Sequence, residues 1–259
     1  MRIIVTGGFG DLGSRVAREA DRRGHDVEPV SRRTGVDLAT GEGLVGALRG
    51  AEVVVNCADD PRRGDVVTVA GTRRLAEAVQ AVEAAQAPMH LVHISIVGID
   101  NFPMAYYRRK LAAEAALAAS GAAVTVLRAT QFHSLAATFA RSLTRGGVTF
   151  QVAGMAFQPV DIDWVATQLL DLAEAPRPTG YRRAPDVAGP EVLTVAQLAD
   201  CLRQHDGRKA ARVVRLPAPF GALRAFGRRQ NIPAAGQGRT GGRTFADWLA
   251  EQPRAHDGR

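Results

Sequence analysis

Two hydrophobic periods alternate along the first half of the chain. Short runs rich in β-branched residues at 2–6 (RIIVT), 26–31 (DVEPVS), 51–58 (AEVVVNCA), 90–97 (HLVHISIV) and 122–128 (AAVTVLR) predict strands. Between them the spacing is helical. Residues 12–23 carry Leu12, Val16, Ala17 and Ala20 on one stripe, 66–87 carry Leu75, Val79 and Val82, and 105–120 end at Gly121. Strands alternating with helices predict βαβ units, hence a parallel sheet with right-handed crossovers. The fold class expected is α/β, a doubly wound parallel sheet of Rossmann type. Pro29 lacks an N–H and argues against a central place for its strand.

After Thr130 the alternation loosens into a helix at 132–143, an extended segment at 148–153 and helices at 163–173 and 194–204. Asp163 and Thr194 stand where helix N-caps are expected. One domain is therefore expected over 1–259. Its dinucleotide part runs to about 130, a smaller substrate lobe covers 131–252, and 253–259 form a polar, flexible tail.

Composition excludes several classes. An apolar fraction of 46% with 23% charged residues is ordinary for a globular protein, and neither disordered nor collagen-like. Cys57 and Cys201, far apart, give no disulfide framework or metal-ligand spacing and imply a reducing compartment. No stretch is apolar enough for a signal core or a membrane span, so a cytoplasmic protein without membrane or metal is expected. The net charge of +7 reads as scattered arginine pairs, among them Arg22-Arg23, Arg62-Arg63 and Arg228-Arg229. Scattered pairs are solvated faces, so no nucleic-acid partner is expected.

The candidate chemistry begins at Thr6-Gly7-Gly8-Phe9-Gly10-Asp11-Leu12-Gly13, between the first strand and the first helix. There Gly7 permits a tight turn, Gly10 a close approach of pyrophosphate, and Gly13 close packing of helix on sheet. The helix start offers N–H groups and a positive dipole end to phosphates. About twenty residues on, where an NAD site carries an acid, the chain has Ser31-Arg32-Arg33. A hydroxyl and two guanidiniums suit a 2′-phosphate, so NADP(H) is the expected cofactor. Asp37-Leu38 follows, placing a carboxylate for the adenine amino group.

These residues resemble the short-chain dehydrogenase/reductase superfamily, in its atypical, NmrA-like branch. The resemblance rests on TGGFGDLG, Asp37-Leu38, Asn56-Cys57-Ala58, Gly71-Thr72, HISIVGID at 93–100, Tyr106 to Lys110, and LRATQFH at 127–133. It continues through QPVDIDWVA at 158–166, DVAGPEVLTVAQLA at 186–199 and RTFADWLAE at 243–251, covering nearly the whole chain. It implies NADPH-dependent reduction of quinones, ketones or phenolic-like rings, or redox sensing without turnover. Cys57, Ala58, Thr130 and Phe132 are the further cofactor residues expected.

Tyr106 and Lys110 lie four apart, on one helix face. An ammonium close to a phenol lowers its pKa, so Lys110 is expected to make Tyr106 a better acid, and by resemblance to hold the nicotinamide ribose. The resemblance also puts a hydroxyl residue on the preceding strand, where this chain has Val97 and leaves Ser95 as a weaker substitute. Phe102, Met104, His133, Met155 and Phe157, with Phe132, predict a hydrophobic or aromatic small-molecule substrate beyond the strand ends. A monomer or homodimer is expected. The expected activity is NADPH-dependent reduction of a quinone or ketone. A non-catalytic NADP(H) sensor, or an isomerase or dehydratase retaining its dinucleotide, is the alternative.

Overall fold

A computed structural model describes residues 1–60, 64–84, 86–218, 220–234 and 236–254, so Arg62, Arg63 and most of the polar tail lie outside the described residues. The first half builds β1 (Arg2–Thr6), α1 (Asp11–Arg22), β2 (Asp26–Val30), α2 (Leu44–Leu48), β3 (Val53–Asn56), α3 (Thr72–Glu83), β4 (His90–Ile96), α4 (Ala105–Ala119) and β5 (Val124–Ala129). The second half builds α5 (His133–Ser142), β6 (Thr144–Arg145), β7 (Val148–Val152), β8 (Ala156–Phe157), α6 (Ile162–Glu174), β9 (Tyr181–Arg183) and β10 (Val187–Ala188). It then continues with β11 (Leu193–Thr194), α7 (Val195–His205), β12 (Arg212–Leu216), α8 (Gly221–Gly227), β13 (Arg239–Thr240) and α9 (Phe245–Ala250).

The main sheet runs β13-β10-β5-β4-β3-β1-β2, with β9 beside β5, and all its pairings are parallel. Parallel strands covered on both faces need apolar residues on both sides, which is why β1, β3 and β5 are buried almost throughout. One face packs Ile3, Val5, Val55, Val92 and Ile94 against α1 and α6; the other packs Ile4, Val54, Leu91 and Val124 against α2, α3 and α4. β2 takes the edge, as Pro29 requires. The long helix expected at 66–87 has two parts, a π-type turn over Asp65–Gly71 running into α3.

A third core forms the lobe, with Phe157, Phe226 and Phe245 among residues of α5, α7, α8 and α9. Its three-stranded sheet, β12-β7-β6, stands apart from the main one. The cap of α6 is Asp161, not Asp163: the Asp161 Oδ1 accepts from the Asp163 N–H at 2.8 Å, two residues earlier than its sequence pattern implied. Thr194 caps α7 in a capping box with Gln197. Finally, α4 is fixed to the sheet by a buried ion pair. Arg128 on β5 donates to both Glu114 oxygens at 2.9 and 2.7 Å and pairs with Asp100 after β4.

Candidate active site at the carboxyl ends of β1 to β4

The turn Gly7–Gly10 joins β1 to α1 at the carboxyl edge of the sheet. Gly7 sits at φ +66°, where a side chain is strained, and a Cβ there would meet the Cys57–Ala58 backbone at 2.8–2.9 Å. A Cβ on Gly13 would lie 2.2 Å from the Gly7 carbonyl oxygen, so helix and turn close on each other only through glycine. Gly10 caps α1 with no side chain, which leaves the helix start open to the groove in front of it. That groove, about 200 Å³, is lined by Gly7, Phe9, Gly10, Ser31, Arg32, Val36, Asp37, Leu38, Cys57, Ala58, Asp59, Asp60 and Val67. The turn, the basic strand end and Asp37-Leu38 thus meet in one place although about thirty residues of sequence separate the first from the last.

Within the groove, Ser31 caps the 3-10 turn Arg32–Thr34, accepting from the Arg33 N–H at 3.1 Å. Arg32 lines the groove, whereas Arg33 is exposed beside it. Asp37 accepts from the Ala39 N–H at 2.8 Å, which fixes its carboxylate at the groove wall. Burial pushes the Cys57 thiol up to about 12, so at neutral pH it is a small apolar residue and not a nucleophile. Leu12 is part of the core and Thr130 bonds to the Gln158 carbonyl at 2.6 Å, both one layer behind the surface. Asp11, which forms an ion pair with Arg15, and Phe132 line a separate cavity of about 180 Å³ with His133 and Trp248.

The tyrosine and the lysine do not act on each other as their spacing suggested. The Tyr106 hydroxyl donates a short hydrogen bond to Oδ2 of Asp59, whose Oδ1 accepts from Thr68 at 2.6 Å. Burial, and then the Asp59 charge, hold the phenol well above its ordinary pKa, the opposite of the expected lowering. Lys110 is buried and donates to the Ile94 carbonyl at 3.1 Å. Burial lowers its pKa, while Asp59, Glu114 and Cys57 pull it back up.

Behind this pair lies a polar row, of which the sequence singled out only Ser95 as a candidate. Asn56 accepts from Thr6 Oγ1 at 2.7 Å and from the Ala58 N–H at 3.2 Å, and its Nδ2 faces His93 Nδ1 at 3.0 Å. With the Asn56 amide so oriented, His93 Nδ1 accepts and Nε2 carries the proton. Burial and Lys110 keep the ring neutral. His93 Nε2 and Ser95 Oγ are buried without a hydrogen-bond partner among the described residues. The only hint in the sequence was that His93 and Ser95 alternate along β4 onto the same face. Val97 is buried and apolar at the end of this strand.

The expected substrate residues divide. Phe102 stacks on Tyr107 at 4.9 Å and meets Phe226 edge-on at 4.6 Å, while Phe157 packs between Phe139 and Phe226. These two, with Met155, belong to the lobe core, so their apolar surface is taken up by packing and not turned toward a ligand. Met104 is half-buried at the cap of α4. The His133 ring lies against Phe245 and Trp248 and bonds to the Arg243 carbonyl at 3.1 Å, which gives it a packing role. A wider open cleft of about 730 Å³ runs between Gln158, Arg228, Arg229, Pro233 and Thr240.

No family model matches the chain. An alignment of 103 positions, covering 36% of this chain, is 31% identical to a dTDP-4-dehydrorhamnose reductase of Mycolicibacterium smegmatis, and it spans only 30% of that protein. Among solved structures, a nucleoside-diphosphate-sugar epimerase from Staphylococcus aureus superposes with a TM-score of 0.69 at 17% identity, over 97% of this chain and 100% of the other. An NADPH-dependent quinone oxidoreductase from Escherichia coli, solved with NADPH, gives 0.67 at 17% identity over 96% and 98%. Likenesses at this identity show the fold, and that fold is a mostly parallel sheet flanked by helices, of the Rossmann type shared by reductases and epimerases.

Proposed function

We propose that the chain is an NADPH-dependent reductase of the atypical short-chain type, passing hydride to a quinone-like acceptor on a hydrophobic, ring-bearing molecule. The observation that carries the cofactor is the groove itself. Gly7 and Gly10, an uncapped helix start and a cationic strand end at Ser31-Arg32 line it together, and the residue that follows β2 is Ser31 in place of the acid of an NAD site. Gly7, Gly10 and the start of α1 would hold the pyrophosphate, Arg32 the 2′-phosphate and Asp37 the adenine edge. When bound, the reduced nicotinamide supplies the hydride.

The quinone is favoured over a simple ketone by what Tyr106 does. A phenol tied to a carboxylate is a poor proton donor, because ionisation sets two negative charges side by side. Val97 supplies no second donor. An acceptor whose reduced form is stable as an anion needs neither group, whereas a ketone needs a proton at its oxygen as the hydride arrives. Lys110 would hold the ribose edge only by leaving the Ile94 carbonyl that it binds here, and Asp59 keeps Tyr106 protonated.

Substituting Arg32 tests the cofactor reading. Arg32→Glu removes one charge-assisted hydrogen bond to a 2′-phosphate and adds repulsion. It is expected to weaken NADPH binding about tenfold or more while leaving NADH binding nearly unchanged. Equal loss for both dinucleotides, or none, contradicts the assignment.

A further inference from the structure

The charge of this protein is not spread as its arginine pairs suggest. Residues 203–229 hold eight of the 33 basic residues and one of the 26 acidic ones, leaving 25 of each in the rest of the chain. The whole net charge of +7 therefore belongs to one segment of the lobe, from the end of α7 through β12 and α8. In the rest of the chain Arg15, Arg23, Arg109, Arg128 and Arg243 each meet carboxylates. Arg212, Arg215 and Arg224 form no ion pair among the described residues.

The same stretch exposes its apolar side chains. Phe220 is 75% exposed, Leu223 42%, Leu216 and Val213 40% each. β12 is an edge strand with four of its five residues exposed, so this segment forms a rim with little packed over it. Arginines interleaved with exposed Val, Leu and Phe make the combination that anionic bilayers bind. The cations attract the headgroup layer and the apolar side chains enter the acyl boundary, and neither signal suffices alone. A nucleic acid has no use for the aliphatic members of the set, because phosphates take only the cations.

We propose that the rim formed by β12, Phe220 and α8 is a docking surface for an anionic membrane, which the protein binds reversibly from the aqueous side. This stands apart from the reductase reading, since it uses no residue of the groove and its test needs no turnover.

Cosedimentation of the full chain with vesicles of phosphatidylcholine alone, and of phosphatidylcholine with phosphatidylglycerol, tests it. Binding to the anionic vesicles, weakened by salt and absent with the neutral ones, is the expected result. Arg212→Gln with Arg215→Gln is expected to weaken partitioning about thirtyfold. Phe220→Ser with Leu223→Ser is expected to abolish most of what remains. All four positions are exposed, so thermal melting should confirm that the variants fold. Absence of vesicle binding, equal binding to neutral vesicles, variants that bind like the parent, or binding of a DNA duplex in place of vesicles would each overturn the proposal. Self-association through β12 with no vesicle binding would do the same.

Discussion

Asp59→Asn isolates the feature on which the substrate reading depends. In the parent protein the hydroxyl of the half-buried Tyr106 donates to the carboxylate of Asp59, which is exposed at the groove. Two unit charges about 4 Å apart repel by about 4 kcal/mol at an effective dielectric constant of 20, or roughly three pKa units. The asparagine carbonyl still accepts the bond but carries no charge. The phenol should therefore fall by about that amount toward the ordinary tyrosine range. Three tyrosines make the assay tractable. Tyr107 and Tyr181 are also held above their ordinary values by burial, so phenolate absorbance against pH, with Tyr106→Phe as blank, reports Tyr106. The parent should show no Tyr106 transition below the pH at which it unfolds, and Asp59→Asn should gain one. Ketone reduction should rise in the variant while quinone reduction stays level. A parent Tyr106 that titrates at or below the ordinary value, or identical titrations of parent and variant, refutes the reasoning.

Two further outcomes follow from the same geometry. Gly13→Ala gains helix propensity of about 1 kcal/mol, yet its Cβ would sit 2.2 Å from a backbone oxygen that moves only with the whole turn. Net destabilisation of about 1–3 kcal/mol by denaturant titration, with NADPH binding lost, is expected, and parent-like stability with parent-like affinity contradicts it. Stability should also fall in mild acid. His90, His93 and His133 are all held below their ordinary values, first by burial, with His90 at about 4. The unfolded chain protonates these histidines near pH 6.5 and the folded one does not. Their contribution is therefore full above that pH and lost as pH drops toward 4, with His90 alone accounting for about 2 kcal/mol by pH 5. A melting temperature unchanged between pH 7 and 5 contradicts this.

What the sequence made legible follows physical range. Strands buried on both faces and helices with a clear stripe were readable to within a few residues, because the period is a local property. β10 and β13, of two residues each, and β12, exposed along most of its length, carry no such period, and only the folded chain brings β13 to the sheet edge. In the site, the glycine turn and the Tyr106–Lys110 face were legible for the same local reason. Asp59 was not, since it lies 47 residues from the tyrosine it binds. Nothing in composition separates a Phe157 that fills a core from one that faces a ligand. Arginine pairs read one by one concealed that the net charge collects after residue 203.

Turnover tests the central claim most directly. NADPH oxidation should be followed against a panel of quinones, aryl ketones and aldehydes, with NADH and Tyr106→Phe run in parallel. Oxidation with quinones is expected, slower with NADH, and retained in Tyr106→Phe because no proton from that phenol is required. Tight NADPH binding with no turnover of any acceptor, or turnover confined to ketones and lost in Tyr106→Phe, would contradict it.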